Sequence, residues 1–139
     1  MSEIITFGVG KTGIDLTTGF FKQINEEHAI QADATKEEIK VSAEDQYDAI
    51  DNSNVFYNEE QGSGKFTPRA LLCDLDTQDI EKVGADESCR DLFRKENMLT
   101  AGTPGARLYG RGYYTDGPKI EETFMEALKK EAEKCDSLQ

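Results

Sequence analysis

The sequence has no tryptophan, one histidine (His28), three prolines and three cysteines in 139 residues. No apolar run approaches the roughly 18 residues a membrane-spanning helix needs, so no membrane partner is expected through such a span. Cys73, Cys89 and Cys135 are odd in number, widely spaced and form no C-x-x-C pair. They read as free thiols in a reducing compartment, and with a single histidine they make no zinc site. His28 closes a helical face, where a packed or capping role is more common than catalysis, and no Ser-His-Asp or Cys-His set stands out. Positive charge is also scarce: 16 Lys and Arg against 28 Asp and Glu, a formal charge of −12. That balance repels nucleic acid and anionic membrane, and no basic patch exceeds Lys129-Lys130. The start, Met1 to Phe7, lacks a basic n-region and a long apolar stretch, so no secretory signal is expected.

What is present reads as one domain of 139 residues with a modest core. Residues 3–7 form a short buried strand carrying Ile4, Ile5 and Phe7. A glycine turn, Gly8-Val9-Gly10-Lys11-Thr12-Gly13, leads into a helix whose apolar face holds Phe20, Phe21, Ile24 and His28. From about residue 31 to 66 the chain is polar and irregular, a long loop pinned back by Val55-Phe56-Tyr57, with a turn of helix near Asp45–Ile50. Pro68 to Asp74 reads as a second strand, apolar without alternation and so covered on both faces. A short helix near Thr77–Val83 and a brief strand at Met98–Thr100 follow. Thr115-Asp116-Gly117-Pro118 starts the last helix, with Pro suited to its first turn. Its stripe is Ile120, Phe124, Ala127, Leu128 and Ala132, with Glu126 and Lys130 paired on the exposed side. Tyr113-Tyr114 reads as packing. Strands alternating with helices predict an α/β fold of about three parallel strands and three helices, a thin sheet with exposed edges.

Gly8-x-Gly10-x-x-Gly13 has the spacing and the strand-to-helix context of a dinucleotide fingerprint. Glycines let the backbone approach a phosphate, and a helix N-terminus offers free N–H groups. The same spacing also serves a plain tight turn, and a Rossmann-type dehydrogenase would rest on these three glycines alone. A P-loop is excluded because its first glycine would fall on Ile5. Asp74 and Asp76 end a parallel strand, where carboxylates hold Mg²⁺ beside phosphates or merely cap a turn. The glycine turn from Ala101 to Arg107 offers further N–H groups or is an ordinary loop.

Several ordered blocks resemble tubulin. They are Met1-Ser2-Glu3-Ile4-Ile5, Glu27-His28-Ala29-Ile30, Gly64-Lys65-Phe66-Thr67-Pro68-Arg69-Ala70, Asp74-Leu75-Asp76, Arg111-Gly112-Tyr113-Tyr114-Thr115-Asp116-Gly117 and Lys130 to Gln139. The resemblance covers nearly the whole chain apart from parts of residues 31–53. Its closing helix is β-like, while Ile30-Gln31-x-Asp33 and Tyr109-x-Arg111 are α-like, so no type is assigned. The resemblance implies an incomplete Rossmann-like tubulin nucleotide-binding half-domain over residues 1–139. It also implies three nucleotide loops, at Gly10–Ile14, Asp74–Asp76 and about Ala101–Leu108. Carried over by position, vestigial GTP contacts fall on Gly10, Lys11, Thr12, Asp74, Asp76, Gly105 and Arg107, with Asp74 and Asp76 toward Mg²⁺.

Departures from the tubulin pattern shape the functional expectation. Lys11 stands where the family has Gln. Pro104 removes a backbone donor in the third loop, Leu108 a polar side chain, and Arg107 adds a charge that would face a phosphate or a protein partner. The family's Gly-Gly-Gly-Thr-Gly-Ser-Gly phosphate loop follows the point matching Gln139, as do its base-binding and hydrolysis segments. The expectation is therefore a non-catalytic, cofactor-free structural protein that binds α/β-tubulin, microtubules or their associated proteins. It would act in the cytoplasm and cytoskeleton, with ciliary axonemes one such setting. The alternatives are a GTP-binding member of the family and a piece of a full-length tubulin. The free chain is expected to fold marginally or only with a partner.

Overall fold

The structure is a computed structural model that describes residues 2–36, 52–102 and 108–139. Three parallel strands make the sheet: β1 (Thr6–Val9), β4 (Ala70–Asp74) and β5 (Met98–Thr100), in the order β1-β4-β5. Thr6 pairs with Ala70 and Val9 with Cys73, while Leu72 pairs with Met98 and Asp74 with Thr100. Strand β4 is central, and its alternating side chains supply both faces, as an unbroken apolar run in a covered strand must. Ala70 and Leu72 point to a core shared with α1 (Gly10–His28) and α2 (Thr77–Ala85), through Ile14, Phe21 and Val83. Leu71 and Cys73 point the other way, to a smaller core with Leu99, Ile120 and Ala127 under α4 (Gly117–Glu133). The result is a sheet between two helical layers, the α/β class expected from strand and helix alternation.

Strand β1 differs from the buried strand expected at residues 3–7. It runs Thr6–Val9, and Ile4 and Phe7 are exposed, because β1 lies at the sheet's edge and only Gly8 among its residues is buried. Of the expected face Phe20-Phe21-Ile24-His28, Phe21 is fully buried and Ile24 packs against the same core, but the most buried line of α1 is shifted. It consists of Ile14, Thr17, Phe21 and Asn25, with Phe20 turned outward. Two polar side chains on that face conceal the period from a hydrophobicity count. Thr17 faces the bare Cα of Gly8, and Asn25 meets Tyr57.

The expected long loop contains a hairpin. Strands β2 (Tyr57–Glu59) and β3 (Phe66–Pro68) pair antiparallel, with Tyr57 opposite Pro68. Pro68 thus ends β3 instead of opening the central strand. Lacking an N–H, proline is tolerated at such a strand end. Arg69 is the break between the two, its N–H donating to Phe56 O. Tyr57 does pin the segment, being fully buried. The helical turn expected near Asp45–Ile50 lies outside the described residues.

The final helix begins earlier than Thr115. A short α3 (Tyr109–Arg111) passes into a π-helical stretch, Gly112–Asp116, and on into α4. Gly117 N–H donates to Gly112 O across the wider turn, and a Cβ on Gly117 would stand 2.8 Å from that same oxygen. Glycine there, followed by Pro118, reads locally as a helix start but permits a π-bulge within a continuing helix. Tyr113 and Tyr114 are exposed, a reversal of their expected packing role. The bulge instead turns Asp116 inward, fully buried, where Lys119 at 2.9 Å and Arg111 at 3.2 Å hold its carboxylate. The Lys119 hydrogen bond is the main cause that holds the Asp116 carboxyl below the usual carboxylate range.

Candidate functional site

The carboxyl ends of β1, β4 and β5 lie side by side, placed by the Val9–Cys73 and Asp74–Thr100 pairings. In open parallel sheets, ligands bind outside this edge. The three expected nucleotide loops all leave from it. Sequence spacing alone could not bring them together; the parallel register does.

The first loop is shaped by its glycines. Gly10 has φ +70°, the left-handed region that a side chain disfavours. A Cβ on Gly8 would stand 2.9 Å from Leu72 Cδ2, 2.9 Å from Thr17 Oγ1 and 3.0 Å from Gly13 O. Gly8 therefore sets how closely α1 approaches the sheet, and Gly10 turns the chain into the helix. Helix α1 has no side-chain cap and no acidic residue in its first turn. Its free N–H groups and positive dipole end face the sheet's carboxyl edge, with exposed Lys11 and Thr12 on the first turn.

The second loop is held by its own carboxylates. Asp74 Oδ1 accepts a 3.0 Å hydrogen bond from Asp76 N–H, and Asp76 Oδ1 accepts one of 3.1 Å from Gln78 N–H. Asp76 is thus the N-cap of α2. The capping alternative left open for these aspartates is realised through one oxygen of each. Lys82 stands nearby on α2. Its bond to Asp79 raises it above the usual lysine range, and the charges of Asp79, Asp15 and Asp76 add to this. Lys82 was not foreseen; its only signal was its spacing from Asp79 across one helical turn. Burial pushes the Cys73 thiol up, with the Asp74 charge adding, so the thiol beside the loop is held protonated.

At the third loop, Ala101 N–H donates to Asp74 O and Gly102 N–H to Thr100 Oγ1. Gly105 and Arg107 lie outside the described residues. His28 stays at the far end of α1, its ring 6.3 Å from that of Tyr57, consistent with packing.

Parallel strands clothed by helices on both faces, with a glycine turn opening an uncapped helix, define a Rossmann-like nucleotide-binding arrangement. Residues 3–139 match the Tubulin/FtsZ family, GTPase domain. The chain belongs to that family. It is similar over all 139 residues to the "Tubulin beta chain, nucleomorph" of Guillardia theta, at 33% identity. It is 32% identical over the same length to the "Tubulin beta-3 chain" of Echinococcus multilocularis. The match takes in 100% of this chain and 30% of each relative, so the chain spans about a third of the length of these relatives.

The family's domain implies GTP with Mg²⁺ in the full-length protein. The described residues fit phosphate in outline, through the Gly10 turn, the uncapped α1 and Lys11. For the metal, Asp74 and Asp76 each retain one carboxylate oxygen outside the turn bonds given above. Mg²⁺ commonly takes only one or two protein carboxylates, with phosphate and water completing its shell. Among the described residues no group of three metal-binding side chains occurs.

Proposed function

We propose that this chain is a structural, non-catalytic tubulin-family protein that binds tubulin-containing assemblies. The observation that carries the reading is an aromatic platform on the final helical segment. Tyr109, Tyr113 and Tyr114 are 81%, 62% and 76% exposed. Tyr109 and Tyr113 stack at 5.7 Å, and Tyr113 and Tyr114 meet edge-on at 4.9 Å. Tyrosine is enriched at protein interfaces because it carries apolar area and a polar tip at small entropic cost. Both relatives named above are tubulin chains, which supports tubulin as the partner. Cytoplasmic microtubules, and those of ciliary axonemes, are the settings this reading favours. Cosedimentation with assembled microtubules at physiological salt tests it. The chain is expected in the pellet, and Tyr113→Ser with Tyr109→Ser is expected to release it. A chain that stays wholly in the supernatant overturns the reading.

A second reading, GTP binding, has its own observation in the uncapped α1 behind Gly10. On this reading the loops bind nucleotide phosphate weakly without hydrolysing it. Hydrolysis needs charge stabilisation and positioning of water, and Asp74 and Asp76 each commit one of their two carboxylate oxygens to the turn or the cap. Calorimetric titration with GTP and Mg²⁺ separates the two. A dissociation constant in the micromolar range would make nucleotide binding the primary function.

A further inference from the structure

We propose that the ammonium group of Lys11 supplies, at the sheet's carboxyl edge, the positive charge that a divalent cation otherwise brings to a nucleotide, so that GTP binds this chain with or without Mg²⁺. Lys11 takes this role only if the nucleotide-binding reading given above holds. The residue breaks a local rule. It is the second residue of α1 and exposed, at the positive end of the helix dipole, where a cation is unfavourable and an acidic or capping side chain is the usual choice. Val9 gives α1 no side-chain cap, and the first turn has no acidic residue. Lys22, Lys82, Lys119 and Lys134 each hold a carboxylate, at 2.5, 2.5, 2.9 and 2.6 Å. Among the described residues Lys11 has no carboxylate within ion-pair distance, in a chain with 28 acidic side chains. Breaks in local preference gather at functional sites. An anion before the first turn removes the conflict, because it meets the dipole, the free N–H groups and the ammonium together.

The carboxylates at this edge have a cation of their own. Lys82 Nζ meets Asp79 Oδ1 at 2.5 Å, and the charges of Asp15, on α1, and Asp76, at the cap of α2, also act on it. One ammonium is thus shared by carboxylates from two helices, which lessens their repulsion of phosphate without a metal. The sequence is sparing with such charges here. Lys11 is the one basic side chain in residues 1–21, and Lys82 is the first after Arg69. A chain of formal charge −12 repels a polyanion unless cations are placed locally. Lys11 and Lys82 are so placed, one at the first loop and one beyond the second. A lysine differs from Mg²⁺ in a way that can be measured: a chelator does not remove it.

Calorimetric titration of the unaltered chain with GTP, once in Mg²⁺ and once in EDTA, tests this. The two dissociation constants are expected to agree within about threefold. Lys11→Gln keeps much of the length and removes the charge, and is expected to weaken binding in EDTA at least about tenfold, the loss of one charge-assisted phosphate contact. Lys11→Arg, which keeps the charge, is expected to bind within about threefold of the native chain. Without nucleotide, Lys11→Gln is expected to raise Tm, because a cation leaves the positive end of α1. Binding that is lost in EDTA, or equal affinity of Lys11→Gln and the native chain in EDTA, would overturn the proposal and leave the nucleotide reading standing. A lower Tm for Lys11→Gln would also overturn it, since the lysine would then serve the fold. No binding in either buffer removes the nucleotide reading, and the proposal with it.

Discussion

The phenol of Tyr57 donates a 2.5 Å hydrogen bond to Oδ1 of Asn25, and both residues are buried. This bond ties the β2–β3 hairpin to the inner face of α1. Burial drives the Tyr57 hydroxyl above its usual range, so it stays protonated and a donor at neutral pH. Around it, Phe21 meets Tyr57 and Phe93 edge-on at 5.7 and 5.8 Å. The polar pair is thus enclosed by aromatic contacts.

Removing one partner of that pair strands the other. Tyr57→Phe leaves the Asn25 oxygen buried and unsatisfied, at a cost of about 1–3 kcal/mol. Combining it with Asn25→Leu is expected to recover part of the loss, because neither site then holds an orphaned polar atom. Urea unfolding of the two variants measures this. A double variant weaker than the sum of its singles would contradict it.

Three glycines are expected to respond in opposite directions to alanine. Gly8→Ala places a methyl against Leu72, Thr17 and the Gly13 carbonyl, and is expected to cost about 1–3 kcal/mol. Gly10→Ala meets no atom but must hold φ +70°, at about 1–2 kcal/mol. Gly19, inside α1 with open space around it, is expected to stabilise by about 0.5–1 kcal/mol as alanine. Their ranking by urea midpoint is the readout.

Asp76 has a capping role that can be separated from any role toward a metal. Asp76→Asn keeps an acceptor for Gln78 N–H and is expected to leave stability within about 0.5 kcal/mol, whereas Asp76→Ala costs about 1 kcal/mol. If the loop also assists Mg²⁺, Asp76→Asn lowers nucleotide affinity in Mg²⁺ but not in EDTA. Equal affinity for the native chain and Asp76→Asn, in both buffers, would confine Asp76 to its cap.

Acid is expected to unfold the chain through carboxylates held below their ordinary values. Glu3 is lowered first by the backbone N–H of Ser137, Asp86 by Lys22 and Asp116 by Lys119. Each binds its proton more readily when unfolded. Its stabilisation is therefore complete above the ordinary value, 4.5 for Glu and 3.8 for Asp, and is lost as pH falls through the lower folded value. Tm is expected to be level above about pH 5 and to drop below it. Glu3→Gln should lower Tm at neutral pH and make the acid descent shallower. A descent unchanged in Glu3→Gln would show that the tie between Glu3 and Ser137 carries none of it.

Much of this molecule can be read along the chain. The run Ala70 to Cys73 has no polar alternation, and such a run must be covered on two sides, which made β4 legible. The strand-to-helix glycine turn, the short α2 and the stripe of α4 were legible for the same local reasons, and the ordered tubulin-like blocks carried the family. Other features depend on partners distant in sequence. The face of α1 turns on Thr17 meeting a glycine and Asn25 meeting a tyrosine 32 residues away, and no hydrophobic period marks such positions. The hairpin was hidden because Pro68 adjoins an apolar run and reads as its start. Asp116 gave no sign of burial, since only the π-bulge turns it between Arg111 and Lys119. Elements and family follow from side-chain pattern and backbone preference over a few residues. The gathering of three loops at one sheet edge follows from strand register, which exists only once distant segments pair.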